Sequence, residues 1–189
     1  MTEAEREELR ALLHRRSFRY GDFLLSSGRR SEFYFDGKQV TLDARGLHLV
    51  GRAVLERCRH LDVEAVGGLT LGADPIAAAV AALSGGDGPA VQAFIVRKEA
   101  KQHGTGRAIE GPPLLPGTRC AIVDDVITSG GALLRAVDAV RETGAEVVEA
   151  IVVVDREEGG RESLAAGGVQ LHALYRRSQF PAPSTAAQS

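Results

Sequence analysis

The segment AIVDDVITSGGA, residues 121–132, constrains the fold of this chain more than any other part of the sequence. It begins with apolar residues typical of a buried strand, and two adjacent carboxylates, Asp124 and Asp125, follow them. Small hydroxyl-bearing residues and glycines come next, before the periodicity of an amphipathic helix. Such strand-to-helix turns lie at the carboxyl edge of open α/β sheets, where ligands bind. The segment therefore predicts a ligand site at a sheet edge.

The residue types of this segment suit a phosphorylated sugar. Gly130 and Gly131 let the backbone come close to an anion, and free N–H groups at a helix N-terminus point towards it. The two carboxylates repel phosphate, but they accept hydrogen bonds from vicinal ribose hydroxyls, directly or beside a magnesium ion. An ordinary strand, turn and helix with a cap is the alternative interpretation. The length and order of the motif favour a ribose 5-phosphate site.

The segment resembles the 5-phosphoribosyl-1-pyrophosphate (PRPP) motif of the type I phosphoribosyltransferases. This resemblance implies that the two aspartates have a catalytic part in holding the ribose hydroxyls, and that the loop binds the 5′-phosphate. The implied PRPP contacts are Asp124, Asp125, Val126, Ile127, Thr128, Ser129, Gly130, Gly131 and Ala132. The implied cofactor is Mg²⁺, which would enter with PRPP near the aspartates and has no assigned protein ligand.

Composition limits the classes of protein to which the chain can belong. Its 189 residues, 44% hydrophobic and 25% charged, suit one compact α/β domain. A net charge of −2 with no basic block gives no support for a nucleic-acid partner. No apolar run reaches membrane-spanning length, and the acidic N-terminus is unlike a signal peptide. Cys58 and Cys120 both lie in apolar patterns, so we expect free thiols and a cytoplasmic location.

Strand and helix patterns alternate along the chain. Helical periodicity covers residues 2–16, 47–58, 75–83, 133–140 and 157–166. Strand patterns cover residues 33–35, 63–69, 91–96, 119–124, 147–154 and 169–174. This alternation predicts an α/β fold with a central, mostly parallel sheet flanked by helices. The resemblance adds the type I phosphoribosyltransferase fold, as a single domain over residues 1–177. Residues 1–40 and C-terminal elements would form a small hood over the base site. Residues 178–189 have the composition of a disordered tail.

Cationic residues are concentrated in RKEAKQHGTG, residues 97–106, directly after a predicted strand. Cations on a mobile loop can stabilise the charge that develops on departing pyrophosphate and can exclude water. A solvated basic loop is the alternative. The segment resembles the catalytic loop of orotate phosphoribosyltransferases, whose subunits exchange this loop across a dimer. The resemblance implies PRPP or pyrophosphate contacts at Arg97, Lys98, Lys101 and His103, transition-state stabilisation by Lys101, and a homodimer in which loop 97–110 completes the neighbouring site.

Two further segments resemble the base site of that family. The segment FLLSSGRRSEFYFDGKQ, residues 23–39, matches the hood, with Tyr34 and Phe35 at the positions whose rings pack on orotate. Alternatively, Phe33 and Phe35 are core residues of an edge strand. Ser26 replaces a family lysine, with Arg29 and Arg30 as candidates to supply the missing charge.

The second of these segments is VVVDREEGG, which places Arg156 at the end of a predicted strand. Arg156 matches the family arginine that pairs with the orotate carboxylate, a role that suits its planar fork. Without the resemblance it would be an ordinary surface residue. Thr128 matches a further contact with the base.

The turn GGLTLGADP, residues 67–75, follows a strand at the equivalent sheet edge. In the type I phosphoribosyltransferase fold that the chain resembles, this turn often contains a non-proline cis peptide and offers N–H groups to pyrophosphate. The matching positions are Thr70, Leu71 and Gly72. Relatives carry a lysine near Gly72, and its absence here shifts the charge requirement to loop 97–103 and magnesium. A glycine-rich helix entry is the plain alternative.

The resemblances together imply transfer of phosphoribose from PRPP to N1 of orotate. The products would be orotidine 5′-monophosphate and pyrophosphate, on the route to UMP. Two alternatives stay open: a phosphoribosyltransferase for another base, and a PRPP-binding regulator without catalysis. The loop lysines and Arg156 favour the orotate enzyme.

Overall fold

The computed structural model describes residues 1–24, 30–86, 88–98 and 108–182. The helices are α1 (Glu3–Arg16), α2 (Lys38–Thr41), α3 (Ala44–His60), α4 (Ala73–Ser84), α5 (Gly131–Arg141) and α6 (Gly160–Ala166). The strands are β1 (Phe18–Leu24), β2 (Arg30–Phe35), β3 (Ala65–Leu69), β4 (Gln92–Val96), β5 (Ile109–Glu110), β6 (Arg119–Ile127), β7 (Glu146–Asp155) and β8 (Leu171–Arg176). None of the helices in these ranges combines the length and the apolarity that a membrane crossing needs.

A six-stranded sheet in the order β5-β4-β3-β6-β7-β8 forms the centre of the fold. Its neighbouring strands are parallel, apart from the antiparallel edge pair of β4 and β5. The carboxyl ends of β3, β4, β6 and β7 therefore meet at one edge. Strands β1 and β2 form a separate antiparallel hairpin. The predicted α/β class and mostly parallel sheet are confirmed.

Alternation along β6 divides the core into two layers, because successive side chains of a strand point to opposite faces. Ala121 and Val123 belong to the cluster that includes buried residues of α1, α3 and α4. Cys120 and Ile122 belong to the cluster that includes buried residues of α5 and α6. A strand buried on both faces is typical of parallel sheets covered by helices. The central strand that carries the acid pair is thus fixed from both sides.

Strand β6 is longer than its sequence pattern predicts. Its parallel pairing with β7 continues past Asp124, opposite Val152, to Ile127, opposite Asp155. The carboxylates interrupt the apolar pattern, and this places the predicted strand end at residue 124. Backbone pairing continues nonetheless, so both aspartates lie inside a rigid strand rather than in the following loop.

The C-terminal segment shows a second difference from prediction. The disordered tail predicted from residue 178 is wrong for residues 178–182, where a 3₁₀ turn (Arg177–Gln179) leads to a fully buried Phe180. The Phe180 ring lies 4.6 Å from that of Phe18, and Tyr20 donates a hydrogen bond to the Phe180 carbonyl. The polar composition of this segment gave no indication that Phe180 is buried and anchors it to the hairpin. Residues 183–189 lie outside the described ranges.

Replacing Phe180 by alanine is expected to lower the free energy of unfolding by about 3–5 kcal/mol, because it opens a cavity under the hairpin. Urea unfolding measures this loss. The control is Leu115→Ala at a side chain that is 65% exposed, expected to change stability by less than about 0.5 kcal/mol. Equal, small losses for the two variants would show that Phe180 does not anchor the C-terminal segment.

Candidate active site

Asp124 and Asp125 form an acid pair near the carboxyl end of β6. Asp125 is buried, with 3% of its surface exposed, and Asp124 is half-buried. The backbone N–H of Asp125 donates a 2.9 Å hydrogen bond to Oδ1 of Asp124. Burial and the adjacent Asp125 carboxylate raise the pKa of Asp124 to about 8. Keeping both carboxylates charged at this position therefore lowers the stability of the folded state. In return, the pair offers acceptors for hydroxyl donors.

The raised pKa of Asp124 predicts how stability depends on pH. The unfolded chain loses this proton near pH 3.8, whereas the folded chain keeps it to about pH 8. Between these values the folded state binds more protons, so stability falls as pH rises. Asp124→Asn is expected to raise the free energy of unfolding more at pH 8 than at pH 5, by about 1 kcal/mol or more.

Urea unfolding at the two pH values measures this difference. The control is Asp138→Asn on the exposed side of α5, for which no such pH dependence is expected. A gain from Asp124→Asn that is the same at pH 5 and pH 8 would contradict the burial of charge at this position.

The turn between β3 and α4 packs directly on the acid pair. A Cβ atom at Gly72 would lie 1.9 Å from Oδ1 of Asp124 and 2.8 Å from Oδ1 of Asp125. The Thr70–Leu71 peptide bond is cis, as expected for this turn. The Leu71 side chain is 67% exposed. The turn and the acid pair therefore form one continuous surface.

The loop from β6 to α5 forms an open backbone cradle. Gly130 has a φ of 87°, in the left-handed region that glycine adopts without strain, and α5 begins at the next residue. A Cβ atom at Gly131 would meet nothing within 4 Å. The first N–H groups of a helix have no intrahelical acceptors, and Gly130 provides no side-chain cap. Thr128 and Ser129 directly precede Gly130 in the sequence.

A cleft of about 480 Å³ opens beside the turn, lined by Thr70, Asp74, Ile95, Arg97, Lys98 and Glu110. Arg97 and Lys98 are exposed and follow β4, and Nη1 of Arg97 lies 3.2 Å from Oε1 of Glu110. The predicted loop residues Lys101 and His103 lie outside the described ranges, as does Ser26 in the hood. The described start of the loop thus places two cations beside the predicted pyrophosphate turn.

Arg156 follows β7 and is held against the hairpin. Its backbone N–H donates to the Ile127 carbonyl at 3.0 Å, and its guanidinium lies 4.9 Å from the centre of the Phe33 ring. Nη2 of Arg156 lies 2.7 Å from Oε1 of Glu158, and the arginine side chain is only 10% exposed. The Nε atom is buried and has no partner among the described residues. This oriented fork suits recognition of a planar carboxylate.

The aromatic residues of β2 alternate between two environments. Phe35 is buried and lies 4.9 Å from Phe18, ring centre to ring centre. Tyr34 is 45% exposed and contacts Phe23. Phe33 faces Arg156. Of the two residues predicted to pack on the base, the structure places Tyr34 at the surface and Phe35 in the core. Sequence reasoning missed Phe33 as the ring beside the arginine.

Two carboxylates suit a metal that arrives with its ligand. The residues described contain no cluster of three or more histidine, cysteine or acidic side chains that could hold an ion. Mg²⁺ is commonly bound by one or two carboxylates together with substrate phosphates and water. Asp124 and Asp125 are side chains that could hold such an ion.

Comparison with known proteins assigns this arrangement to a family. The family model of the phosphoribosyl transferase domain matches residues 64–167. Orotate phosphoribosyltransferase from Aquifex aeolicus is 48% identical over 179 residues, covering 93% of this chain and 97% of the relative. The chain belongs to the orotate phosphoribosyltransferase family. The family's enzyme from Thermosynechococcus vestitus is 50% identical, covering 94% of this chain and 93% of that protein.

Solved structures of the orotate phosphoribosyltransferase family agree with this assignment. The Mycobacterium tuberculosis enzyme in complex with Fe(III) dicitrate has a TM-score of 0.81 at 40% identity, covering 94% of this chain and 99% of that one. Its PRPP complex has a TM-score of 0.78 at 37% identity, covering 93% and 98%. The predicted type I phosphoribosyltransferase fold and the transferase class of enzyme are confirmed. These relatives favour the orotate enzyme over both alternatives.

Proposed function

We propose that this enzyme transfers the 5-phosphoribosyl group of PRPP to N1 of orotate, giving orotidine 5′-monophosphate and pyrophosphate. The observation that carries the proposal is the packing of Gly72 on Asp124, which joins the pyrophosphate turn to the ribose-binding pair. The family assignment supports the choice of both substrates. The reaction would supply UMP biosynthesis.

Three neighbouring features at one edge of the sheet each bind a different part of PRPP. The carboxylates of Asp124 and Asp125 accept hydrogen bonds from the ribose hydroxyls. The N–H groups at the start of α5, with Thr128 and Ser129, bind the 5′-phosphate. The cleft beside Thr70 receives the pyrophosphate, where Arg97 supplies positive charge. The remaining motif residues Val126, Ile127, Gly130, Gly131 and Ala132 shape the backbone around the sugar phosphate.

Catalysis of the displacement at the anomeric carbon depends mainly on positioning the two reactants and on stabilising the charge of the departing pyrophosphate. Orotate loses its N1 proton without a strong base, so no side chain is assigned as general base. Lys101, Lys98 and His103 are proposed to stabilise charge on the departing pyrophosphate. Magnesium bound with PRPP would neutralise part of that charge, with Asp124 and Asp125 as the residues beside it. Holding both reactants on rigid strands supplies the remaining advantage.

Orotate recognition is assigned to the space between β7 and the hairpin. The Arg156 fork pairs with the orotate carboxylate, in exchange for or beside Glu158. Phe33 provides an apolar wall, Tyr34 and Phe35 extend the hood, and Thr128 contacts the base from the PRPP loop. An apolar slot with a few fixed polar groups is the usual form of such a site.

Turnover tests the enzyme against the regulator. With PRPP, magnesium and orotate, the protein is expected to form orotidine 5′-monophosphate and pyrophosphate in equal amounts. Heat-treated protein is the control. Binding of PRPP without formation of either product would favour the regulator instead.

We also propose a cytoplasmic homodimer in which loop 97–110 of each subunit completes its neighbour's site. The free, buried thiols of Cys58 and Cys120 are in keeping with a reducing compartment. Exposed apolar side chains near the turn and hairpin, at Tyr34, Leu42 and Leu71, offer contact area to a second subunit.

Mixing two inactive variants tests the shared site. Lys101→Ala and Asp125→Asn each damage a different part of it, so in a mixed dimer one site receives both intact parts. Unfolding and refolding an equal mixture is expected to restore about a quarter of the wild-type activity per site, since about half of the dimers are mixed. Each variant treated alone is the control. No recovery in a verified mixed dimer would contradict the exchange of the loop.

A further inference from the structure

The segment that follows the hairpin is seated on the acid pair. Nζ of Lys38 lies 3.4 Å from Oδ2 of Asp125 and 3.4 Å from Oδ1 of Asp36. A Cβ atom at Gly37 would lie 2.7 Å from Oδ2 of Asp125, so the backbone approaches that carboxylate closely. Within the part of the chain that the structure describes, Lys38 is the cation that forms an ion pair with the acid pair.

The choice of lysine at this position stands out in the composition. Of the 23 lysine and arginine residues, only three are lysine: Lys38, Lys98 and Lys101. Arginine makes the ion pairs between elements, such as Arg45 with Glu8 and Arg57 with Glu149. Two of the three lysines lie in the loop that resembles the catalytic loop. The third, Lys38, lies against Asp125 in the proposed reaction site.

An ammonium group suits this position for reasons of shape. It is compact and carries three donors on a flexible stem, whereas a guanidinium is a planar fork. Two carboxylates lie within reach of Nζ, and the Lys38 side chain remains 45% exposed. The turn of residues 67–75 contains no lysine or arginine of its own. Lys38 therefore supplies a positive charge at the point where the hairpin, the turn and β6 meet.

We propose that Lys38 is a positioning residue of the PRPP site, holding the Asp125 carboxylate in the orientation that accepts a ribose hydroxyl. This inference rests on the proposed function. Its ammonium also reduces the negative charge that PRPP meets on approaching the acid pair. The hood and the PRPP motif are thereby coupled, because the first residue of α2 orients a residue of β6.

Removal of the ammonium should weaken PRPP binding and leave orotate binding nearly intact. Lys38→Cys is expected to raise the KM for PRPP about tenfold or more, the scale of a lost hydrogen bond to a charged group. The KM for orotate should change less than about threefold, because Arg156 does not contact Lys38. Asp125, whose side chain is only 5% exposed, loses its cation in this variant, but the 45% exposed Lys38 side chain leaves no cavity in the core, so the variant should fold, which circular dichroism checks.

Alkylation of the new thiol at position 38 distinguishes the effect of the positive charge from the effect of side-chain length. Treatment of Lys38→Cys with 2-bromoethylamine rebuilds a lysine-like side chain, whereas iodoacetamide adds a neutral group of similar size. Wild-type protein treated in parallel is the control, because Cys58 and Cys120 are fully buried and burial raises the pKa of each thiol to about 12. The aminoethyl product is expected to recover the PRPP KM to within about threefold of wild type, and the acetamide product to remain weak.

Unchanged PRPP affinity in Lys38→Cys, or equal recovery with the neutral adduct, would overturn the assignment. Calorimetric titration of PRPP runs beside the kinetics. If wild-type protein binds PRPP but does not use orotate, the proposed function fails while the effect of Lys38 on PRPP binding is still measured. If wild-type protein converts orotate, and Lys38→Cys changes neither the KM for PRPP nor its calorimetric affinity, only this inference fails.

Discussion

Replacing Arg156 by leucine is expected to lower kcat/KM for orotate by about 30- to 1,000-fold, the effect of removing one partner of a buried charge pair. The side chain is 10% exposed and held between Phe33 and Glu158, so water cannot readily replace the guanidinium. The orotate carboxylate would then lose the guanidinium assigned to it, and Glu158 would lose its ion-pair partner. The KM for PRPP should stay near the wild-type value, because PRPP is assigned to β6 and the turn.

Steady-state kinetics with both substrates varied measures this effect. Arg135→Leu removes an exposed arginine of α5 and is the matched control, with little change expected. Arg156→Lys should recover only part of the loss, since an ammonium cannot make the bidentate contact. Equal losses in the apparent affinities for PRPP and orotate would show that Arg156 supports the fold rather than the base pocket.

A methyl group at position 72 is expected to reduce turnover about 100-fold or more. In Gly72→Ala the added Cβ would lie 1.9 Å from Oδ1 of Asp124, so either the turn or the carboxylate must move. Displacements of about 1 Å in a site that works by positioning cost about this much in rate. The loss should affect every substrate, because it misplaces the ribose itself.

The control for this variant is Gly86→Ala, where an added Cβ would meet nothing within 4 Å. Circular dichroism and urea unfolding establish that both variants are folded before their rates are compared. Near wild-type turnover by folded Gly72→Ala would show that the packing of the turn on the acid pair is not required for activity.

Much of the sheet follows from sequence alone, because buried parallel strands are continuous apolar runs between turn residues. The runs around residues 63–69 and 147–154 correspond to β3 and β7. Strand β1 was not predicted: its sequence, FRYGDFL, mixes charges and a glycine with aromatics, and its register with β2 shifts between Tyr20 and Phe23. Pairing of the hairpin depends on its partner rather than on local periodicity.

The acid pair, the turn and Arg156 were predicted because they follow strands whose ends share one sheet edge. Lys38 was not, since its position on Asp125 depends on how the hairpin folds over β6. Phe33 was considered only as a core residue. The alternation of side chains along β2 places Phe33 on the opposite face from Tyr34. Its contact with Arg156, however, depends on the tertiary structure. Contacts between the hood and the sheet thus lie beyond what local sequence patterns report.

A comparison of four bases as acceptors of the phosphoribosyl group tests the proposed base site and the proposed reaction together. Orotate, uracil, adenine and hypoxanthine are each incubated with the enzyme, PRPP and magnesium, and nucleotide and pyrophosphate are measured. We expect turnover with orotate, and none with the three bases that lack a carboxylate for Arg156. Comparable turnover with any of these three would contradict the proposed base site, whatever the outcome for orotate.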